Sequence, residues 1–529
     1  MNDQAPPDKR VELLEEQPTT VQLCGRAAGI ILAGLTYPLL RFCSDQVTEP
    51  QAGAAAVTVL MAVWWMTEAL PLAVTSLLPL ILCPLLGVLS IEEAARPYAD
   101  KSIFLFMGGF MIALAIEKWG LHRRLALVTV SAAGTNPSRL IGGVMLATGF
   151  TSMWISNTAT AAMMLPIGQS LVTLLSERVA DSEDHSSSDK ENSPSRRFAV
   201  CMMLGIAYAA SIGGMGTLIG TPTNVTLAGF AAKVGMEIRF ASWMKLGMPL
   251  ALIYLICAWI LLTQFLFPIR IRAIPGGREL IRDELRKLGR PSSAELVVLS
   301  IFVATTLLWL LRQPLQSWLR IPTGRFDDSV IAMFGALALF VIPVDRTWRR
   351  VALDWHTAAR LPWGVLLLFG GGFALAAAMQ ASGLDLLIGA QIRSLGNQVP
   401  LWLMVVAIVT IVVFFSELAS NTPTAATFLP ITYGVAEAIG VPALFLLVPV
   451  TLAASCGFML PVATPPNAIA FGSGYVTIRQ MIRAGWRLNL IGIALITLAI
   501  YAIGPWAFLD NQHPQKNPGN GEVTDVLER

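Results

Sequence analysis

Ser152-Met153-Trp154-Ile155-Ser156-Asn157-Thr158, in the first half of this 529-residue chain, returns in the second half as Ser416-Glu417-Leu418-Ala419-Ser420-Asn421-Thr422, 264 residues on. The register extends outward from this pair. Leu165-Pro166 is matched by Leu429-Pro430 at the same spacing, and Gly108-Gly109-Phe110 and Gly120-Leu121 by Gly371-Gly372-Phe373 and Gly383-Leu384 at 263. Gly220-Thr221-Pro222-Thr223-Asn224 parallels Ala463-Thr464-Pro465-Pro466-Asn467 at 243, the spacing shortened by an extra polar loop at 177–197. Chance does not hold register over so many blocks, so the chain reads as two copies of one unit.

Each Ser-Asn-Thr lies inside an apolar segment, and such segments recur from Val21 to Leu509. Hydrophobic residues make up 55% and charged residues 13%, about half the charge of a soluble domain. Many of the runs are long enough to cross a hydrocarbon core of ~30 Å at ~1.5 Å per residue. The fold class is therefore an all-α polytopic membrane protein, with about eleven transmembrane helices plus two re-entrant hairpins. Five crossings per copy turn the second copy over, giving inverted repeats with a site near the membrane midplane. In the first half, spans fall at 22–42, 54–65, 74–89, 103–127, 198–232 and 241–267. Residues 1–20 are a polar cytoplasmic N-terminal tail. Residues 21–267 are the first helix and first repeat, with its hairpin at 138–176. Residues 268–292 form a basic cytoplasmic linker, 293–509 the second repeat with its hairpin at 400–440, and 510–529 a polar C-terminal tail. Basic clusters at Arg270–Arg290, Arg346–Arg360 and Arg479–Arg487 place those loops in the cytoplasm, the N-terminus inside and the C-terminus outside. Arg312, Arg320 and Arg325 fall on the other side and weaken that bias.

Ser-Asn-Thr in the middle of an apolar run breaks the helix, because these side chains bond their own backbone and cap helix starts. Irregular backbone at that depth is tolerated where it lines a polar cavity. The helix that begins there offers free N–H groups to an anion, and the helix that ends there offers carbonyls to a cation. Ser152 and Ser416, one turn back, add a hydroxyl on the same face. Hydroxyl, Asn amide oxygen and backbone carbonyls form an all-oxygen cage without carboxylates, which suits Na⁺ better than Ca²⁺. The Thr-Pro segments break their helices too, and small Gly220 and Ala463 let backbone approach an ion. One such motif alone would be read as a kink; paired broken helices in corresponding positions mark the site of a transporter. No Lys, Arg or His lies in the four motifs. Their one charged residue, Glu417, reads as a satisfied structural carboxylate ahead of a proton carrier.

On these residues the chain resembles the divalent anion/sodium symporter (DASS) family, which includes bacterial and animal dicarboxylate, citrate and sulfate carriers. The resemblance runs from the second helix to the last. It implies import of C4-dicarboxylates (succinate, malate, fumarate) by symport with Na⁺ through an elevator motion, in the bacterial inner (plasma) membrane. It implies a homodimer with a scaffold and a moving transport domain. Carried onto this chain, the first of two sodium sites uses Ser152, Ser156, Asn157 and Gly220, and the second Ser416, Ser420, Asn421 and Ala463. The substrate carboxylates meet Asn157, Thr158, Thr221, Asn421, Thr422 and Pro465. Two departures, Pro423 directly after the second motif and Thr221 where Ser would serve, bear on substrate size.

Sulfate or another divalent oxyanion, and dicarboxylate exchange, remain as alternatives for the same site. An enzyme would need a nucleophile–base pair or metal ligands at membrane depth. The six cysteines and four histidines are scattered and supply neither. The net charge of +3 gives no nucleic-acid surface.

Overall fold

The computed structural model describes residues 19–43, 47–131, 134, 136–180, 193–269, 277–322, 325–345, 347–385, 387 and 400–508. The expectations for the N-terminal tail, most of the 177–197 loop, the basic stretch 270–276 and the C-terminal tail fall outside the described residues. Among the described residues there are helices and one isolated bridge, Pro343–Val351, and no strand.

In the first half the helices are α1 (Thr20–Cys43), α2 (Glu49–Thr67), α3 (Leu72–Thr75), α4 (Pro79–Leu85), α5 (Ile91–Ala95), α6 (Lys101–Lys118), α7 (Leu121–Ser131), α8 (Pro137–Ser152), α9 (Asn157–Ala180), α10 (Pro194–Gly214), α11 (Pro222–Lys233) and α12 (Phe240–Ile260). In the second half they are α13 (Gly277–Lys287), α14 (Ser293–Leu319), α15 (Asp328–Val341), α16 (Trp355–Ala358), α17 (Trp363–Ser382), α18 (Leu401–Ser416), α19 (Asn421–Ile439), α20 (Leu444–Ala454), α21 (Pro465–Gly472), α22 (Ile478–Ala502) and α23 (Gly504–Phe508).

Eight helical stretches of the described residues are long and apolar enough to cross a membrane, and four shorter apolar ones accompany them. The outer helices carry apolar side chains outward. On α1, Ile30, Ile31, Leu35 and Leu39 are exposed, and on α15, Val330, Phe334, Leu337 and Val341. A soluble protein does not present such a surface, whereas a lipid-facing one does. At the centre, every residue of α10 from Phe198 to Gly214 is buried, and so is Leu446–Ala454 of α20.

The repeat is legible in packing. Helix α10 packs on α8, α9 and α12, and α20 packs on α18, α19 and α22. The two halves then interlock: α11 lies against α19, and α21 lies against α9. Gly120 and Gly383, matched in sequence, both take a left-handed backbone, with φ of 69° and 71°. Gly247 of α12 and Gly485 of α22 each touch backbone at matched positions. A Cβ would come within 2.7 Å of the Met215 carbonyl oxygen at Gly247, and within 2.3 Å of that of Phe458 at Gly485.

Two expectations need correction. The single helix expected at 103–127 is two, α6 and α7, because Gly120 takes a conformation no continuing helix allows. The span at 74–89 is α3 and α4, separated by residues 76–78, with Pro79 opening the second piece. Within the basic linker, α13 buries Ile281 and ties Arg123 of α7 to Glu284 at 2.8 Å. Charges near helix ends are paired. Arg312 meets Asp328 at 3.0 Å and Glu237 at 3.1 Å. Lys118 bonds Asp354, and that hydrogen bond holds the Asp354 carboxyl down to about 2.

Candidate functional site: two oxygen-lined breaks in matched helices

Both predicted interruptions are present. Helix α8 stops at Ser152, residues 153–156 form a turn, and α9 starts at Asn157. Likewise α18 stops at Ser416 and α19 starts at Asn421. Ser156 opens α9 by accepting from the Ala159 N–H at 3.2 Å. The Thr-Pro motifs begin α11 and α21 with Thr221 and Thr464 in extended backbone and proline in the first turn, where its missing N–H has no cost.

In the first half the break closes into a knot of oxygens. Ser152 Oγ lies 2.7 Å from both Asn157 Oδ1 and the Ala210 carbonyl. Gly214 is so close that a Cβ on it would meet Asn157 Oδ1 at 2.6 Å and the Gly220 carbonyl oxygen at 3.0 Å. Asn224 Nδ2 donates to the carbonyls of Gly214 (3.2 Å) and Thr217 (2.8 Å), which fixes the unwound loop 215–221. The second half repeats this. Asn467 Nδ2 donates at 3.0 Å to the carbonyls of Gly457 and Leu460, each 243 residues after its counterpart. A Cβ on Gly457 would sit 3.3 Å from Asn421 Oδ1 and 3.1 Å from the Ala463 Cβ. Thus Ser152, Asn157 and Gly220 come together, as do Asn421 and Ala463.

The halves differ in how these oxygens are satisfied. Ser416 Oγ turns back to the Val413 carbonyl at 3.3 Å. Asn421 Oδ1 is then buried with no hydrogen-bond partner, as are Asn224 Oδ1 and Asn467 Oδ1. A buried acceptor without a donor costs about 1–3 kcal/mol. A cation at Asn421 Oδ1, in the space a Cβ on Gly457 would take, would satisfy it. The atoms gathered at the breaks are amide, hydroxyl and carbonyl oxygens, a neutral set that suits a monovalent ion.

Glu417 has a structural task. It is 3% exposed. Its carboxylate accepts from the N–H groups of Phe458, Met459 and Leu460 and from Asn489 Nδ2, at 2.6–3.2 Å. This holds the loop that ends at Ala463. The matched position in the first half is Met153, whose carbonyl accepts from the Thr217 hydroxyl. Glu417→Ala would leave the buried N–H of Phe458 and the half-buried N–H groups of Met459 and Leu460 without their partner, at about 1–3 kcal/mol for the buried one. The expected result is a fall in melting temperature of the purified protein larger than for Glu417→Gln. Equal melting of both variants and the wild type would refute this role.

The predicted substrate contacts divide between the halves. Thr158 is exposed, Thr422 is half-buried, Thr221 is buried, and Pro465 is exposed at the first turn of α21. Because α21 packs on α9 and α11 on α19, Pro465 lies on a helix against the Asn157–Thr158 arm, and Thr221 caps one against the Asn421–Thr422 arm. Each oxygen knot is built within one half, while these four arms bring the halves together. Gly214, Gly457, Asn224, Asn467 and Ala210 were not singled out as site residues. The shared 243-residue spacing of Gly214 with Gly457, and of Asn224 with Asn467, was the available signal.

The family model described as the sodium:sulfate symporter transmembrane region matches residues 30–509. A "Sodium-dependent dicarboxylate transporter SdcS" of Staphylococcus saprophyticus is 41% identical over 487 residues, covering 91% of this chain and 92% of the relative. A protein of the same name from Staphylococcus aureus is 41% identical over 489 residues, covering 92% of each. Two solved structures share the fold, each at a TM-score of 0.54. They are the Alcanivorax borkumensis YdaH transporter, at 13% identity over 88% of this chain and 99% of its own, and Neisseria gonorrhoeae MtrF, at 12% over 89% and 98%.

Proposed function

Because the chain belongs to the family of sodium:sulfate symporter transmembrane regions, we propose that it is a multi-pass transporter that imports C4-dicarboxylates together with Na⁺. The observation that carries this is the pair of matched helix breaks, one of which leaves Asn421 Oδ1 buried and unpaired beside backbone. Na⁺ is a substrate here. It enters the two oxygen knots, at Ser152, Ser156, Asn157 and Gly220, and at Ser416, Ser420, Asn421 and Ala463. The dianion meets Asn157, Thr158, Thr221, Asn421, Thr422 and Pro465. The α9 and α19 N-termini direct free N–H groups and a positive dipole end toward its carboxylates.

The order of events follows from electrostatics. No cationic side chain lies in the four motifs to neutralise a dianion. Sodium in the knots supplies that charge and closes the loops that carry Thr221 and Pro465, so the anion binds tightly only after the cation. An empty carrier and a fully loaded one then cross readily, whereas a half-loaded one would take uncompensated charge to membrane depth. The site moves as an elevator within a homodimer, with the N-terminus in the cytoplasm and the C-terminus outside. Single-cysteine labelling from the two sides checks the orientation, and native mass spectrometry checks the dimer.

The experiment is uptake of labelled succinate into proteoliposomes. Uptake should need an inward Na⁺ gradient and be competed by malate and fumarate more strongly than by sulfate or citrate. Stronger competition by sulfate would refute the dicarboxylate assignment. Equal uptake with K⁺, Li⁺ or choline would refute sodium coupling.

A further inference from the structure

The two Thr-Pro breaks touch through a pair of hydroxyls. Thr223 Oγ1 and Ser455 Oγ are 2.6 Å apart, and Thr221 Oγ1 lies 3.3 Å from Thr223 Oγ1. Thr223 and Ser455 are 0% and 1% exposed, so water does not replace this contact. Thr223 sits between Gly220, of the first knot, and Asn224, which clamps that knot's loop. Ser455 stands two residues before Gly457, on which a Cβ would sit 3.3 Å from Asn421 Oδ1. The bridge therefore joins the first oxygen knot to the second.

The shared architecture does not require it. The positions matched to Thr223 and Ser455 by the 243-residue spacing are Pro466 and Ile212, which carry no hydroxyl. The link exists once, on one side of an otherwise doubled arrangement.

Each hydroxyl carries one proton, which gives the chain two senses. Ser455 Oγ can donate to the Thr451 carbonyl, 3.4 Å away, and accept from Thr223. Alternatively it donates to Thr223, which donates to Thr221, whose own proton then points to an acceptor outside the chain. An anion at Thr221 selects the second sense.

Resting on the function proposed above, we propose that Thr223 and Ser455 are positioning residues that couple the two sodium sites, so that filling one loop orders the other. The test is the Na⁺ dependence of succinate uptake in the reconstituted full chain. Thr223→Val and Ser455→Ala should bring the Hill coefficient for Na⁺ close to one and raise half-saturation about fivefold or more. The succinate KM at saturating Na⁺ should rise less in Ser455→Ala, which leaves the Thr221–Thr223 contact in place, than in Thr223→Val, which removes it. Thr223→Ser, which restores a hydroxyl, should restore cooperativity, a rescue that a purely packing role would not give. The double variant Thr223→Val/Ser455→Ala replaces both hydroxyls of the 2.6 Å contact by apolar groups, so neither faces an unmatched partner there, and it tests the bridge even where a single variant folds poorly; Thr221 Oγ1 loses its 3.3 Å neighbour in it as in Thr223→Val. An unchanged Hill coefficient in the double variant, or a Thr223→Ser variant that behaves like Thr223→Val, would overturn the proposal. Loss of Na⁺ dependence in the wild type would instead overturn the function on which it rests.

Discussion

Asn421→Ala is expected to raise the Na⁺ concentration for half-maximal uptake by roughly tenfold to a hundredfold. It deletes a buried amide oxygen that has no hydrogen-bond partner in the protein and lies 3.3 Å from where a Cβ on Gly457 would sit. A hydrogen bond or contact to a charged group is worth about 1.5–3 kcal/mol, and each 1.4 kcal/mol is tenfold. The same change at Asn157 should have a comparable effect on transport but a different effect on stability. Asn157 Oδ1 shares the single Ser152 hydroxyl proton with the Ala210 carbonyl, each 2.7 Å away, so removing it loses part of a bond even without sodium. Asn421 Oδ1 loses nothing in sodium-free protein. Melting curves in choline and in Na⁺ separate the two. In choline, Asn421→Ala should melt at or above the wild type, since it removes a buried unpaired acceptor, and Asn157→Ala below it. In Na⁺, the wild type should gain stability that Asn421→Ala does not, since a ligand stabilises only the state that binds it. Ser152→Ala and Ser416→Ala, which delete single hydroxyls, should shift Na⁺ half-saturation in the same direction by less. If Asn421→Ala gains as much from Na⁺ as the wild type, the second knot is not a sodium site.

Thr158→Val and Thr422→Val should each raise the apparent KM for succinate about tenfold while leaving folding intact. Thr158 is exposed and Thr422 half-buried. Valine keeps their shape and removes one donor, and a carboxylate that loses a donor loses about 1.5–3 kcal/mol. Each arm presents an amide, a hydroxyl and a helix start, so a ligand with a negative group at each end suits the pair. A monocarboxylate would leave one end unmatched, and uptake should fall as pH drops and the dianion becomes monoprotonated. Sulfate, with its shorter span, should depend on one threonine more than on the other. Unchanged succinate constants in both variants would place the anion elsewhere.

The helix breaks were legible because their chemistry is anomalous where it occurs. Ser-Asn-Thr and Thr-Pro inside apolar runs can only break a helix, and the doubling of both motifs raised two kinks to a pattern. The helix ends at Ser152, Asn157, Ser416 and Asn421 follow directly. What stayed hidden depends on partners distant in sequence. Glu417 stands out as the one carboxylate of the motifs, yet its donors lie 41–72 residues away at Phe458, Met459, Leu460 and Asn489. The Thr223–Ser455 contact spans 232 residues. Hydropathy alone ran α6 into α7, because Gly120 sits between two apolar stretches and only its left-handed backbone ends the first. The amphipathic α13 was masked by its basic residues, which read as a linker until Ile281 and Glu284 found α7.

The central claim is that the paired breaks bind sodium and dicarboxylate as one linked unit. Calorimetric titration of succinate into the purified wild type, at a series of Na⁺ concentrations with choline replacing sodium, tests it most directly. The account predicts that succinate affinity rises steeply with Na⁺ and that no binding heat is detected in choline alone. Succinate binding of equal affinity in choline and in Na⁺ would contradict it.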